Sequence, residues 1–401
     1  MKKVLYRTYQ KGFSLAAKVT KYREQDIIEG NDSVLRLPAY LQGKGISKAL
    51  IVTDAGITSI GLLEPLLQKL QEENIQYFIF DKTVPNPTIG NIEEAYFLYR
   101  VKRCQAIIAV GGGSSIDCAK GVAARLANPH KSIEKMKGLF KVLHDGPLFV
   151  AVPTTSGTGS ETTAAAVVSN PATHEKYAIM DTALIPHVAV LDPLLTVGLP
   201  KHITAATGMD ALTHAVESYV GLACTPEVAQ YSKQAVQLIF ENLYETYVNG
   251  DNMDARDKMQ RASFYAGAAF TRALVGNVHA IAHTLSGFYN VPHGLANAVI
   301  MPYILDYYGE AVYAPLAELA DVAKIVDPAL SEEQKAKAFI AAIRDLNESM
   351  DIPTTIDGIV DEDIPEMVKR ALAEANPLYP VPVIMDAPDM TRIYKLLQGC
   401  S

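Results

Sequence analysis

Short, continuous apolar runs alternate with amphipathic stretches through the first half of the chain. KALIVTD (48–54), QYFIFDK (76–82), CQAIIAVGGG (104–113), PLFVAVPTT (147–155) and HVAVLDP (187–193) are bounded by Gly, Asp, Pro or Thr, and this pattern predicts strands. Between them, IGLLEPLLQKLQEEN (60–74) and TIGNIEEAYFLYRVKR (88–103) place their apolar residues at helical intervals. The alternation predicts a parallel sheet covered by helices, an α/β domain. Ligands of such sheets bind at the carboxyl ends of the strands, and the Gly and Asp residues of this chain cluster there.

Beyond LPKHITAATGMDALTHAVESYVG (199–221) the strand-like runs stop, and segments rich in Ala, Leu and Met with a 3.6-residue period continue almost to the end. A helical second domain is expected. DPLLTVGLP (192–200) interrupts the pattern with two prolines and a glycine, so the division falls near Asp192 to Pro200, giving an α/β domain over 1–197 and an all-α domain over 198–401. No internal repeat or low-complexity tract is present.

A chain of 401 residues with 49% hydrophobic composition can bury two sizeable cores. A formal charge of −8 carries no electrostatic footprint for nucleic acid or anionic lipid, and the expected partners are small molecules. There is no uninterrupted apolar run of about 18 residues, and MKKVLYRTYQKG lacks the apolar segment of a signal peptide, so the expected location is the cytoplasm with no membrane partner. The four cysteines, Cys104, Cys118, Cys224 and Cys400, lie far apart without a CxxC pair, which argues for buried, reduced thiols over a zinc site or a disulfide framework.

Candidate chemistry begins at AIIAVGGGSSIDCAKGVAARL (106–126), where an apolar run meets Gly111, Gly112 and Gly113 and then a helix opened by Ser114 and Ser115. Glycines let backbone N–H groups approach an anion, and a helix N-terminus favours negative charge, so a pyrophosphate fits there. The same residues also suit a tight strand-to-helix turn with Ser114 as N-cap, and the spacing is not GxGxxG. PTTSGTGSETT (153–163) sets Thr154, Thr155, Ser156 and Thr158 after another strand. Asp54 ends a third, where its carboxylate suits either ribose hydroxyls or a helix N-cap. Three such strand ends together favour a dinucleotide.

The second constellation lies in the helical half. In GMDALTHAVESYV, Asp210 and His214 stand at i and i+4 on one helix face; His279 and His283 repeat that spacing, and His293 follows at a VPHG turn. Each buried imidazole needs a polar partner, and a shared divalent cation would satisfy several at once. One carboxylate among imidazoles suits iron(II), zinc, nickel or cobalt better than magnesium or calcium. Five candidates compete for about four positions, leaving one histidine for chemistry.

GGGSSIDCAK, PTTSGTGSE, ATGMDALTHAVESYV and HAIAHTLSGFYNVPHGLANA occur in the order of the motifs of the iron-dependent (group III) alcohol dehydrogenases, and from about residue 30 the chain resembles that family nearly throughout. The resemblance implies a Rossmann-like α/β N-terminal domain, an all-α C-terminal domain of the dehydroquinate synthase-like architecture, and an active site in the cleft between them. It implies Asp210, His214, His279 and His293 as metal ligands, iron(II) as the usual metal with zinc as the alternative, and His283 as the remaining histidine beside nicotinamide and substrate. Asp54, Asn86, Gly111, Gly112, Gly113, Ser114, Thr154, Thr155, Thr158 and Lys176 match cofactor contacts, and Ala165 and Phe270 match positions lining the substrate pocket. SETTAAAVV departs from the usual pattern, which has Val after the Glu, and Asn277 sits at a variable place.

The expected activity is reversible hydride transfer between a short primary alcohol or aldehyde and NAD, with Asp54 favouring NAD over NADP by repelling a 2′-phosphate. A homodimer or higher homo-oligomer is the family expectation. The rival readings are a glycerol or other polyol dehydrogenase, a lyase of the same superfamily that uses NAD transiently, and a non-catalytic protein that binds NAD and metal. His279, as a third histidine ligand, favours the alcohol dehydrogenases.

Overall fold

A computed structural model describes residues 2–171, 173 and 175–399; Cys400 lies outside them. The chain forms two compact units, one of Lys21–Gly198 and one of Leu199–Ser401 joined by Met1–Thr20. The N-terminal segment, expected with the α/β half, thus belongs to the helical unit. The helix Lys2–Val19 brings its polar side chains to carbonyls far along the chain: the Arg7 guanidinium donates to Val381 and Pro382, and Gln10 Nε2 donates to Tyr379 at 2.7 Å. These partners are distant in sequence, so local pattern carries no trace of them.

The α/β unit contains strands β1 (Asp26–Glu29), β2 (Lys48–Val52), β3 (Gln76–Phe80), β4 (Ala106–Gly111), β5 (Gly138–Leu139), β6 (Leu148–Pro153), β7 (Ala165–Asn170), β8 (Glu175–Met180) and β9 (Val188–Leu191). Six of them form a sheet in the order β1-β9-β6-β4-β2-β3, every pair parallel. Successive residues of its strands feed two apolar cores: Leu50, Val52, Ile107 and Ala109 enter one, and Ala49, Ile51, Ile108 and Val110 the other. Burial on both faces is why these strands read as unbroken apolar runs. The five strands predicted from sequence are β2, β3, β4, β6 and β9. A second sheet, β5-β8-β7, was not predicted; AAVVSN and EKYAIM pair antiparallel there, and the short DIIE of β1 is mostly exposed.

Among the described residues the other unit has no extended strand. Its main helices include Lys201–Val220, Pro226–Val248, Met253–Ala273, Asn277–Tyr289, His293–Tyr308, Glu332–Ser349 and Ile364–Ala375, packed around one large core. Helix His293–Tyr308 is apolar nearly all round its first three turns, as a helix enclosed by others must be. No helix among the described residues is long and apolar enough to cross a membrane. Cys104 and Cys118 are buried thiols and Cys224 is half-buried.

Candidate active site

In the α/β unit, β4 runs into the helix Gly113–Ala127 through Gly111, whose φ of +151° favours glycine. A Cβ on Gly113 would lie 2.8 Å from Thr158 Cγ2, so the turn and the Thr154–Ser160 loop touch only because that side chain is missing. Gly112 is the N-cap and Ser114 lies inside the first turn, so the alternative reading with Ser114 as the cap does not hold. Its hydroxyl instead accepts from Asn86 N–H at 3.3 Å. Asp54 does cap a helix: Oδ1 accepts from Ile57 N–H at 3.1 Å, while Oδ2 accepts from Ser115 Oγ at 3.2 Å. Asp54, Asn86, the three glycines, Ser114, Thr154, Thr155 and Thr158 are therefore gathered around one strand-end turn. Ala165 opens β7, its carbonyl accepting from Lys120 Nζ at 2.8 Å, and Lys176 lies on β8 opposite Ser169, whose N–H donates to Pro87 O beside Asn86.

Beneath the loop lies a buried network that sequence reasoning missed. Lys120 is fully buried and its Nζ donates to Thr163 Oγ1 (2.6 Å), Ala165 O (2.8 Å) and Ser160 Oγ (3.1 Å), while Ser160 Oγ donates to Asp117 Oδ1 (2.7 Å). Burial pushes the Lys120 ammonium down to about 8 and the Glu161 carboxyl up to about 7. The network ties the helix after the glycines to the loop after β6.

In the helical unit, helix Lys201–Val220 presents Asp210, His214 and Glu217 along one face, all buried. Helix Asn277–Tyr289 supplies His279 and His283. His293, expected at a turn, is the first residue of the helix that follows Pro292. Ligand atoms of Asp210, His279 and His293 lie within 4.8 Å of one another. Asp210 Oδ1 is 4.0 Å from His279 Nε2 and 3.6 Å from His293 Nε2. The His214 Nε2 is 4.0 Å from the same oxygen, with its ring stacked between Phe270 (4.2 Å) and His279 (4.6 Å). His283 stacks on His293 with centroids 5.0 Å apart.

The Asn297 amide stands among these three groups. Asn297 Nδ2 donates to Asp210 Oδ1 at 2.7 Å and lies 3.2 Å from each of His279 Nε2 and His293 Nε2. A carboxylate oxygen and two imidazole nitrogens converging on one point are the mixed N and O donor set that suits a divalent cation. Glu217 completes the arrangement from behind: it accepts from Gly276 N–H (2.9 Å) and Val278 N–H (2.8 Å), and its Oε2 is 2.6 Å from His279 Nδ1. A carboxylate on Nδ1 keeps the hydrogen there and turns the Nε2 lone pair toward the metal position. Burial, aided by the neighbouring histidines, holds His279 neutral far below the usual histidine range. Sequence reasoning passed over Glu217 and Asn297. Their signal was spacing: Glu217 continues the Asp210–His214 stripe, and Asn297 follows His293 by four residues.

Two halves of one family match the chain: "Iron-containing alcohol dehydrogenase" over residues 24–193 and "Fe-containing alcohol dehydrogenase family, C-terminal" over residues 204–397. The 1,3-propanediol dehydrogenase of Klebsiella pneumoniae is 39% identical over 337 residues, 83% of this chain and 87% of that protein. The NAD-dependent methanol dehydrogenase of Bacillus methanolicus is 35% identical over 347 residues, 86% and 91% of the two chains. Among solved structures, an alcohol dehydrogenase from Oenococcus oeni superposes with a TM-score of 0.90 at 34% identity, covering 94% of this chain and all (100%) of that one. The chain belongs to the iron-containing alcohol dehydrogenase family. Its activity is that of a metal-dependent alcohol dehydrogenase, and the polyol dehydrogenase alternative is not favoured.

Proposed function

We propose that the protein interconverts short primary alcohols and aldehydes with NAD(H), using iron(II) held by Asp210, His214, His279 and His293. The observation that carries this reading is the convergence of Asp210, His279 and His293, the first two buried and the third half-buried, with His283 stacked on His293. When bound, the cation would supply Lewis acidity toward the alcohol oxygen and the dinucleotide a hydride acceptor. The protein supplies the rest. Glu217 fixes the His279 tautomer, His283 accepts the hydroxyl proton in the oxidative direction and returns it in the other, and Phe270, stacked on His214, gives the substrate an apolar wall. The strand-end turn at Gly111 to Ser114 with Thr154, Thr155 and Thr158 offers backbone and hydroxyl donors to a pyrophosphate. Asp54, its cap bond made through Oδ1, retains a negative charge that selects against a 2′-phosphate. Asn86 borders this turn, Lys176 is assigned to the ribose side and Ala165 to the substrate pocket by family position. A cytoplasmic homodimer is part of the same proposal, and light scattering on the purified protein tests the dimer.

The direct test is anaerobic purification, loading with iron(II) or zinc, and measurement of NADH and NADPH oxidation against a panel of short aldehydes. Turnover in the iron sample with NADH preferred is expected. Silence with both metals, despite confirmed metal and NADH binding, would overturn the reading.

A further inference from the structure

His283 is held by more than its own helix. Its Nδ1 lies 2.6 Å from Oε1 of Glu374, the penultimate residue of helix Ile364–Ala375, and the same oxygen accepts a hydrogen bond from the Tyr379 hydroxyl at 2.7 Å. Tyr379 is buried, which with the nearby Glu374 pushes its phenol well above the usual range, so the hydroxyl keeps its proton and has a carboxylate as acceptor. An oxygen that already receives one O–H faces His283 as an acceptor as well, so the hydrogen between Nδ1 and Oε1 resides on the ring nitrogen. The His283 plane is fixed independently, stacked on His293 at 15° and edge-on to His279 with centroids 6.0 Å apart.

We propose that Glu374 is the positioning residue for His283: by holding the hydrogen on Nδ1 it leaves Nε2 as the lone pair that meets the substrate hydroxyl, and Tyr379 in turn holds Glu374. This rests on the alcohol dehydrogenase reading and on the role given there to His283, and adds to it a carboxylate from a distant helix. A neutral imidazole free to choose its tautomer would present an N–H at Nε2 for much of the time and could not accept there. Glu374 and His283 both keep a partly exposed side chain, 32% and 26%, so the proton has a route to solvent from this pair.

The test has two readouts. In zinc-loaded protein labelled with 15N-histidine, the His283 signals, identified by their loss in His283→Ala, should show a protonated Nδ1 and an unprotonated Nε2; Glu374→Ala should convert them to a tautomer mixture, and Glu374→Gln, which keeps an acceptor, should retain more of the wild-type pattern. In turnover with alcohol and NAD, Glu374→Ala should lower kcat by roughly 10-fold to 100-fold, part of the ~10²–10⁴-fold that a positioned acid or base supplies. KM should stay within about threefold, since substrate binding is not the function removed, and the Gln variant should recover part of kcat. In a His283→Ala background, Glu374→Ala should cost less than about twofold more, because a residue acting through another has nothing left to act on. A His283 tautomer indifferent to Glu374→Ala, or a full additional loss in the double variant, would overturn the proposal. The nitrogen shifts need no turnover, so an enzyme inactive on every alcohol would defeat the activity reading while leaving the tautomer result to judge Glu374.

Discussion

Gly294→Ala should loosen the metal site without removing any ligand. Gly294 is the second residue of helix His293–Tyr308, and a Cβ there would stand 2.2 Å from Ala206 O, 2.8 Å from Ala206 C and 3.2 Å from Asp210 Cβ. Two of the three obstacles are backbone of helix Lys201–Val220 and have no rotamer to change. Bringing the closest contact to the roughly 3.5 Å of ordinary van der Waals approach requires more than about 1 Å of movement between the helices. One helix carries Asp210 and the other His293, whose atoms are 3.6 Å apart, so the displacement falls directly on the ligand geometry. Overpacking of this kind costs about 1–3 kcal/mol, and a 1 Å misplacement in a catalytic site can cost about 10²-fold in rate. Metal affinity, measured by chelator competition, should fall at least about tenfold, equal to ~1.4 kcal/mol, and the stabilisation by added metal in thermal melting should shrink accordingly. The control is Gly287→Ala in helix Asn277–Tyr289, where a Cβ would meet nothing within 4 Å; it should be neutral or stabilising by up to about 1 kcal/mol. Unchanged metal affinity and melting in Gly294→Ala would refute the claim that this helix contact sets the ligand positions.

Other substitutions test other levels of the structure. Glu217→Gln, which keeps an acceptor near Gly276 and Val278 but loses the carboxylate on His279 Nδ1, should weaken metal binding about 10–100-fold; chelator competition reads this, and wild-type affinity would contradict the orienting role. Asp54→Asn preserves the cap to Ile57 while removing the charge, so the ratio of kcat/KM for NADPH over NADH should rise at least about tenfold if the carboxylate repels a 2′-phosphate; a constant ratio counts against that role. His187 Nδ1 accepts from Phe149 N–H, and burial lowers the imidazole from 6.5 to about 4. Because the unfolded chain takes up that proton first, His187 favours the fold fully above pH 6.5 and this contribution is lost as pH falls toward about 4. His187→Asn should flatten the urea midpoint over that window, and an unaltered pH slope would show that His187 does not titrate on unfolding.

The parallel sheet was legible because burial on both faces forces unbroken apolar strands, as in KALIVTD and CQAIIAVGGG. The hairpin of β7 and β8 was not, since AAVVSN and EKYAIM carry little alternation and are defined by each other. Asp210 and His279 were visible as polar residues on small-residue helices that bury them. The helix after β4, read as opened by Ser114 and Ser115, begins one residue earlier at Gly113, and Gly112 caps it with no side-chain bond.

The sequence by itself determined five strands of the parallel sheet, the helical character of the second half and the aspartate and histidines of the candidate site, because periodicity and helical spacing are local properties of the chain. Only tertiary structure decided what each side chain faces: the N-terminal helix joins the helical unit through Arg7 and Gln10, Glu217 meets His279 across 62 residues, and Glu374 meets His283 across 91. Such pairings arise when packing removes water from polar groups and leaves them only one another as partners, and no spacing within a single helix encodes that choice.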